Sequence, residues 1–126
     1  MSQTDIATLK SMVQGGEVDT VIIAAADMQS RFFGKRCCAD FFLAEVIHGI
    51  NICSNNLVWD IELNIGEQYR LAGWQTGLQD LRAVPDLTTL RLYPWFEKTA
   101  LVMADLFHQD GSPVSVSPRN ILCPQV

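Results

Sequence analysis

Trp74 to Trp95 reads WQTGLQDLRAVPDLTTLRLYPW, and the rest of the chain is arranged around this stretch. Trp74-Gln75-Thr76-Gly77 followed by Leu78-Gln79-Asp80 mixes aromatic, small and acidic residues, the composition of a loop over a site. Leu81 to Leu92 carries two short apolar runs broken at Pro85-Asp86. Proline presets φ and aspartate bonds its own backbone, so the pattern predicts two strands around a turn. Tyr93-Pro94-Trp95 closes the stretch, because Pro94 has no N–H to give a ladder and ends the second strand.

Upstream, Ser2 to Val13 places Ile6, Leu9, Met12 and Val13 at helical spacing, with Ser2 or Thr4 as a cap and Gly15-Gly16 as a stop. Thr20 to Ala26, TVIIAAA, is continuously apolar, as a strand buried on both faces would be. Asp27 to Ser30 reads as a turn and Arg31 to Cys38 as the returning strand, with Gly34 marking a bulge or a close backbone approach. Asp40 is expected to cap a helix of Phe41 to His48, stopped by Gly49. Asn51 to Asn56 reads as loop. Leu57 to Asn64 alternates, with Leu57, Trp59, Ile61 and Leu63 on one face, and predicts a strand with one wet face. Gly66, Gly73 and Gly77 make Ile65 to Gly77 the most loop-like part of the chain.

Downstream, Thr99 to Phe107 predicts a strongly apolar strand, His108 to Gly111 a turn, and Ser112 to Val116 a short returning strand. Ser117-Pro118 is a helix start, with serine as N-cap and proline at the first helical position. Only Arg119 to Val126 follows and Pro124 limits it, so the natural polypeptide is expected to continue. Arg119 is poorly placed for the helix dipole, which points to a partner in the missing part.

At 126 residues and 48% hydrophobic, the chain fits one domain with a modest core. A net charge of −5 with nine Lys and Arg argues against nucleic acid or anionic membrane as a main partner. No signal peptide is visible and no apolar run reaches the roughly 20 residues that span a bilayer, so the expected location is cytoplasmic. Cys37, Cys38, Cys53 and Cys123 form neither a CxxC pair nor a zinc spacing and read as free thiols, although Lys35 and Arg36 lie beside Cys37. No phosphate-cradling glycine motif is present.

Gly77-x-x-Asp80-Leu81-Arg82-x-Val84-Pro85-Asp86-Leu87-x-Thr89-Leu90-Arg91, then Pro94-Trp95, then an apolar strand ending in Asp105, resembles the amino-terminal β-grasp domain of the glutamine synthetase family, in particular its γ-glutamyl-amine ligase branch. Asp27 and Gly34-Lys35 are similar to the family's Asp-x-x-Gly-x-x-Arg-Gly-Lys pattern, with Ser30 in place of the usual glycine and Phe33 in place of the usual arginine. Ala100 to Asp105, Asp110-Gly111-x-Pro113 and Ser117-Pro118-Arg119-x-x-Leu122 resemble the exit toward a catalytic domain. The resemblance runs from about Thr20 to the end.

What the resemblance implies is an α+β fold, a β-grasp (ubiquitin-like) mixed sheet packed by a helix, to which the residues themselves add a short amino-terminal helix. Together they divide the chain into a helix at 1–16, the β-grasp at 17–111 and, at 112–126, the start of the connection to a catalytic domain. It implies a ring homo-oligomer in which this domain covers a neighbouring subunit's site, with glutamate and an amine as substrates and ATP with Mg or Mn as cofactors of the full protein. The fragment alone is not expected to catalyse anything. Asp80 matches best as an acidic group for the amine site. Asp60 could replace the carboxylate of the Asp-Gly-Ser-Ser loop found in ammonia-using members, a motif this chain lacks, having Cys53-Ser54-Asn55-Asn56 there. Trp74 could line the nucleotide end. The bland alternatives are a turn Asp for Asp80, a solvent-facing strand residue for Asp60 beside Glu62, and a loop anchor for Trp74. Arg31, Lys35 and Arg36 read as a charged strand edge before an anion site. His48 reads as a helix-end charge, and His108 sits at a turn. A non-catalytic β-grasp interaction module is the alternative function. A third, an independent small enzyme, lacks a nucleophile–base or metal constellation. An isolated domain of this kind should also expose an apolar patch.

Overall fold

The apolar run Thr20–Ala26 forms strand β1, and the other strands assemble around it. The structure, a computed structural model, describes residues 4–66 and 68–123. Phe32–Cys38 is β2, Ile50–Cys53 is β3, Asp80–Leu92 is β4 and Thr99–Phe107 is β5. Three short α-helices accompany them: α1, Ile6–Gln14; α2, Ala39–Ala44; and α3, Pro118–Leu122. The strand order is β2-β1-β5-β4-β3. Strands β1 and β5 pair in parallel, with Thr20 opposite Thr99 and Ala24 opposite Met103. Between β4 and β5 the pairing is antiparallel: the Tyr93 N–H donates to the Thr99 carbonyl and the Met103 N–H to the Thr89 hydroxyl, so one number falls as the other rises. The result is a mixed α+β domain built on one five-stranded sheet.

The chain divides into two compact units. The first comprises Met1–Ala24, Gly34–Ile50 and Val84–Ala104. Its buried side chains include Leu9 of α1, Val21 and Ile23 of β1, Phe42 of α2, Leu90 of β4 and Val102 of β5. In this unit Gly34 is where close approach is required: a Cβ there would lie 1.9 Å from the Ile23 carbonyl oxygen, so no side chain is admitted without moving backbone. The second unit comprises Ala25–Phe33, Asn51–Ala83 and Asp105–Val126. It buries Leu57, Val58, Ala72, Leu81, Leu106 and Val114, together with the polar Asp27, Ser54, Asn55 and Ser117.

Several elements depart from the expectations, each for a local reason. The cap of α1 is Asp5, whose Oδ1 accepts the Thr8 N–H at 2.7 Å; Thr4 instead gives its N–H to the Leu90 carbonyl, and Ser2 lies outside the described residues, as does Pro124. Helix α2 starts one residue before Asp40, because the Ala39 N–H is taken by the Asp19 carbonyl; Asp40 lies in the first turn, where its charge still suits the dipole. That helix breaks after Ala44, and Val46–His48 is a separate 3-10 turn ended by Gly49 at φ 113°. Residues 51–56 are not loop: Ile50–Cys53 pairs as β3 and Ser54–Leu57 is a 3-10 turn. Segment 112–116 keeps only an isolated bridge, Phe107 to Pro113. Ser117 does precede α3, but its side chain makes no cap bond.

The largest departure is β4, one strand of 13 residues where two around a turn were expected. Its buried positions are odd-numbered through Leu81, Ala83 and Pro85, and then even at Leu90, the phase change left by one extra residue in a strand. Side chains absorb the irregularity. Asp86 Oδ1 accepts from the Thr88 N–H and hydroxyl, while the Thr89 hydroxyl donates to the Asp86 carbonyl at 2.7 Å and accepts the Met103 N–H at 2.9 Å. Thr89 thus replaces a ladder carbonyl with its own oxygen. Strand β4 ends at Leu92, ahead of Pro94 as expected.

Candidate functional site

Asp60 lies in a loop that its own carboxylate organises. Oδ1 accepts the backbone N–H groups of Glu62 and Asn64, both at 2.9 Å, and Oδ2 accepts Asn64 Nδ2 at 3.2 Å. Short polar side chains that bond nearby backbone compete with a strand ladder. The expected strand over 57–64 is therefore absent: Leu57 ends a 3-10 turn, Leu63 has φ 65°, and of the supposed apolar face Ile61 is 77% exposed. Glu62 consequently shares no strand face with Asp60. The Asn64 N–H holds the Asp60 carboxyl below the usual range against the upward pull of partial desolvation, with help from Asn64 Nδ2, the Glu62 N–H and the charge of Arg31.

Arg31 reaches that loop from the turn after β1. Asp27, 5% exposed, accepts the Gln29 N–H at 2.8 Å, the Arg31 N–H at 2.9 Å and Arg31 Nε at 2.8 Å. The other end of the guanidinium donates to the Asp60 carbonyl at 3.0 Å and the Ile61 carbonyl at 3.3 Å. Burial pulls the Asp27 carboxyl upward, but the Arg31 and Gln29 N–H groups and the guanidinium outweigh it, and the net direction is down. Arg31 is thus an internal tie, not the solvated edge charge expected of it. Arg36 lies 5.1 Å over the ring of Phe96, a cation–π contact.

Asp80 is exposed at the first position of β4. It lines a cleft of about 450 Å³ with Gln79, His108, Gln109, Asp110 and Ser112. Gln109 Nε2 ties this corner together by donating to the Asp80 carbonyl at 3.2 Å and to Asn51 Oδ1 at 3.3 Å. Asp110, bonded by the hydroxyl and N–H of Ser112 and close to His108, has its carboxyl held low. Trp74 begins a 3-10 turn, Trp74–Thr76, and is 69% exposed. That turn is set by the Thr76 hydroxyl, which accepts the Gly73 N–H, and by Gly77 at φ 72°. Asp60, Trp74 and Asp80 all belong to the second unit, but neither Asp60 nor Trp74 joins the lining of the Asp80 cleft. A second cleft of about 490 Å³ has Met28, Val58, Leu71 and Val114 among its walls, with Arg70 and His108 as its basic groups.

Sequence reading missed three further features. Arg119 Nε donates to Asp105 Oδ1 at 2.7 Å, so Arg119 has a partner within this chain. Asn120 Nδ2 donates to the Leu106 and Val114 carbonyls. Ser54 Oγ, Asn55 Oδ1 and Trp59 Nε1 are buried without a hydrogen-bond partner among the described residues. The signal for the first was available, since Asp105 and Arg119 have opposite charge; their proximity was not. The thiols are all free, and burial together with its neighbour Cys38 pushes the Cys37 thiol up, away from a reactive thiolate. In the first unit Leu92, Trp95 and Phe96 are exposed and line one shallow cleft with Tyr93 and Pro94, the apolar patch expected. No group of three or more His, Cys, Asp or Glu among the described residues could hold a metal ion, and no helix among them is long and apolar enough to cross a membrane.

Comparison with solved structures shows what the fold is similar to. GmaS without ligand superposes with a TM-score of 0.68 at 21% identity, covering 96% of this chain and 25% of that one. A glutamine synthase homologue gives 0.71 at 19% identity, covering 86% and 26%. The fold is therefore that of part of a glutamine synthetase-like protein. Sequence comparison is more specific. The chain is 43% identical over 118 residues to the γ-glutamylethanolamide synthetase of Streptomyces coelicolor, covering 93% of this chain and 26% of that protein. It is 33% identical over 122 residues to a glutamate–isopropylamine ligase of Pseudomonas sp, covering 96% and 27%. A type-1 glutamine synthetase of Dictyostelium discoideum is 30% identical over 102 residues, covering 81% and 20%. No protein-family model matches the chain. The chain is similar to the amino-terminal portion of glutamine synthetase-like proteins. It spans about a quarter of the length of the first two curated relatives.

Proposed function

We propose that this chain is the amino-terminal domain of a glutamate–amine ligase, a β-grasp that covers the active site of a neighbouring subunit in a cytoplasmic ring. The identity of 43% to a γ-glutamylethanolamide synthetase, over 93% of the chain, carries this reading. The hairpin β1–β2, the helix α2 that follows it and the parallel pairing of β1 with β5 support the β-grasp assignment. On this reading residues 1–16 are an amino-terminal helix, 17–111 the β-grasp and 112–126 the passage to a catalytic domain.

ATP and Mg or Mn, held by the rest of the longer protein, supply the activation of the glutamate γ-carboxyl. The described residues offer no metal-donor cluster, and none of their chemistry is routed through those groups. What this chain contributes is the amine end. Asp80, exposed on the rim of a polar cleft, binds the amine as a cation and takes one proton from it; the freed lone pair attacks the activated γ-carboxyl, phosphate leaves as the C–N bond forms, and the second proton the nitrogen loses goes to that phosphate. Asp60 has its carboxylate oxygens engaged by its own loop and stands outside the lining of the Asp80 cleft, so its part is a long-range attraction for the cation. Trp74, largely exposed, faces the nucleotide end. The two first-named relatives are named for substituted amines, and the Asp-Gly-Ser-Ser loop of ammonia users is replaced here by Cys53-Ser54-Asn55-Asn56, so the substrate is an alkylamine and not ammonia.

Phosphate release from ATP by the longer protein, with glutamate and a panel of ammonia, ethanolamine, isopropylamine and longer amines, tests the reading. The expected result is γ-glutamylamide formation with an alkylamine in preference to ammonia. No turnover with any amine overturns it in favour of a non-catalytic module.

A further inference from the structure

We propose that Asp27 and Arg31 form a positioning clasp that fixes the Asp60–Asn64 loop, making Arg31 a positioning residue for the amine end of the site. The functional half of this rests on the ligase reading above; the structural half does not.

The geometry is that of a two-ended tie. At one end a buried carboxylate takes three donors: the Gln29 N–H, the Arg31 N–H and Arg31 Nε, all within 2.9 Å. The first two close the turn after β1. The third fixes the plane of the guanidinium, because Nε donates along the side-chain axis. At the other end Nη2 and Nη1 donate to two consecutive carbonyls, Asp60 at 3.0 Å and Ile61 at 3.3 Å. Three nitrogens of one rigid, planar group therefore serve two segments 29 and 30 positions apart in the chain. Lysine has the charge but one nitrogen, so it cannot hold both ends.

The loop so held is closed internally as well. The Leu63 N–H donates to the Asp60 carbonyl at 3.0 Å, which also accepts Nη2, and the Asp60 carboxylate accepts from Glu62 and Asn64. Those bonds close the loop on itself, and the Arg31 contacts to the Asp60 and Ile61 carbonyls brace it against the turn after β1, so an unbraced loop opens more often and its internal bonds break with it. Ile61 and Leu63 lie exposed on it. Leu63 lines a small cleft of about 190 Å³ together with Trp59, Asn56 and the clasp residues themselves. A shift at Arg31 therefore moves both the loop and the cleft wall.

Arg31→Lys tests the clasp, since it keeps the charge and removes the fork. In this chain the variant is expected to stay folded while the Glu62 and Asn64 amides exchange with solvent about tenfold faster, the effect of about 1.4 kcal/mol. Unchanged exchange, within twofold, overturns the proposal. Should Arg31→Lys fail to fold, Asp27→Asn replaces it: the asparagine oxygen still closes the turn, Nδ2 in place of Oδ2 sets a donor against Arg31 Nε and removes that bond, and the same acceleration is expected. In the longer protein Arg31→Lys is expected to raise the amine KM about tenfold with kcat and the glutamate KM within twofold. Faster exchange without a change in amine KM overturns the functional half. Absence of turnover in the unsubstituted protein instead overturns the ligase reading, and the exchange experiment still decides the clasp.

Discussion

Strand β5 and the segment Leu57–Asn64 both read as strands, the first from a nearly continuous apolar run and the second from alternation, yet only β5 is a strand. In β5 burial alternates along the strand: Ala100, Val102, Ala104 and Leu106 are buried, with Leu101, Met103 and Asp105 half-buried between them. In the other segment Leu57 and Val58 are buried side by side, while Ile61 and Leu63 are exposed. The difference is made by polar side chains of a particular length. Asp60 can reach the N–H groups two and four positions ahead, and takes them. The one acid in β5, Asp105, is engaged by Arg119 and leaves the ladder intact. Alternation states what a strand would bury; it does not state whether a side chain outcompetes the ladder for the backbone donors.

Core truncation breaks the comparison most sharply. Leu106→Ala removes a fully buried side chain of β5 and should cost about 2–5 kcal/mol, whereas Ile61→Ala should stay within about 0.5 kcal/mol. Urea unfolding measures both; a large loss at Ile61 would mean that its segment is a buried strand after all. Thr89→Val sharpens the point from the opposite side. There a polar side chain sustains a ladder instead of breaking it, and removing the hydroxyl leaves the Met103 N–H without its acceptor. A loss of about 1–3 kcal/mol is expected; no loss would show that β4 and β5 pair without it.

A smaller effect comes from acid. The folded-state carboxyls of Asp27 and Asp60 lie below their ordinary value of 3.8, so the bonds they make are fully present above that value and are lost as the pH falls through and below it. Amide exchange should show Glu62 and Asn64 losing protection below about pH 3.8, while β5 keeps its own until global unfolding. Simultaneous loss in both regions would contradict a separately organised loop.

How much was legible follows the same division. Strands β1 and β5 and the turn at Asp110-Gly111 could be read because each depends on residues adjacent in sequence, and the close approach at Gly34, although it is made to Ile23, is signalled by the glycine itself. Strand β4 was misread because Pro85-Asp86 is a sound turn signal alone; the Thr89 hydroxyl that lets the strand continue acts through Met103, 14 residues away. At the candidate site, Asp80, Asp60 and Trp74 are singled out through resemblance to a family, and local pattern alone put Asp60 on a strand that is a loop. Arg31 was placed on a solvated edge because two of its partners, the Asp60 and Ile61 carbonyls, lie about 30 positions downstream, which local pattern cannot reveal.

The account turns on Asp80 standing at the amine end. In the longer protein, the amine KM of Asp80→Asn is the measurement that tests it most directly. The predicted result is a rise of about tenfold or more, the size of one lost charge-assisted hydrogen bond, with the glutamate KM unchanged. An amine KM equal to that of the unsubstituted protein would contradict the account.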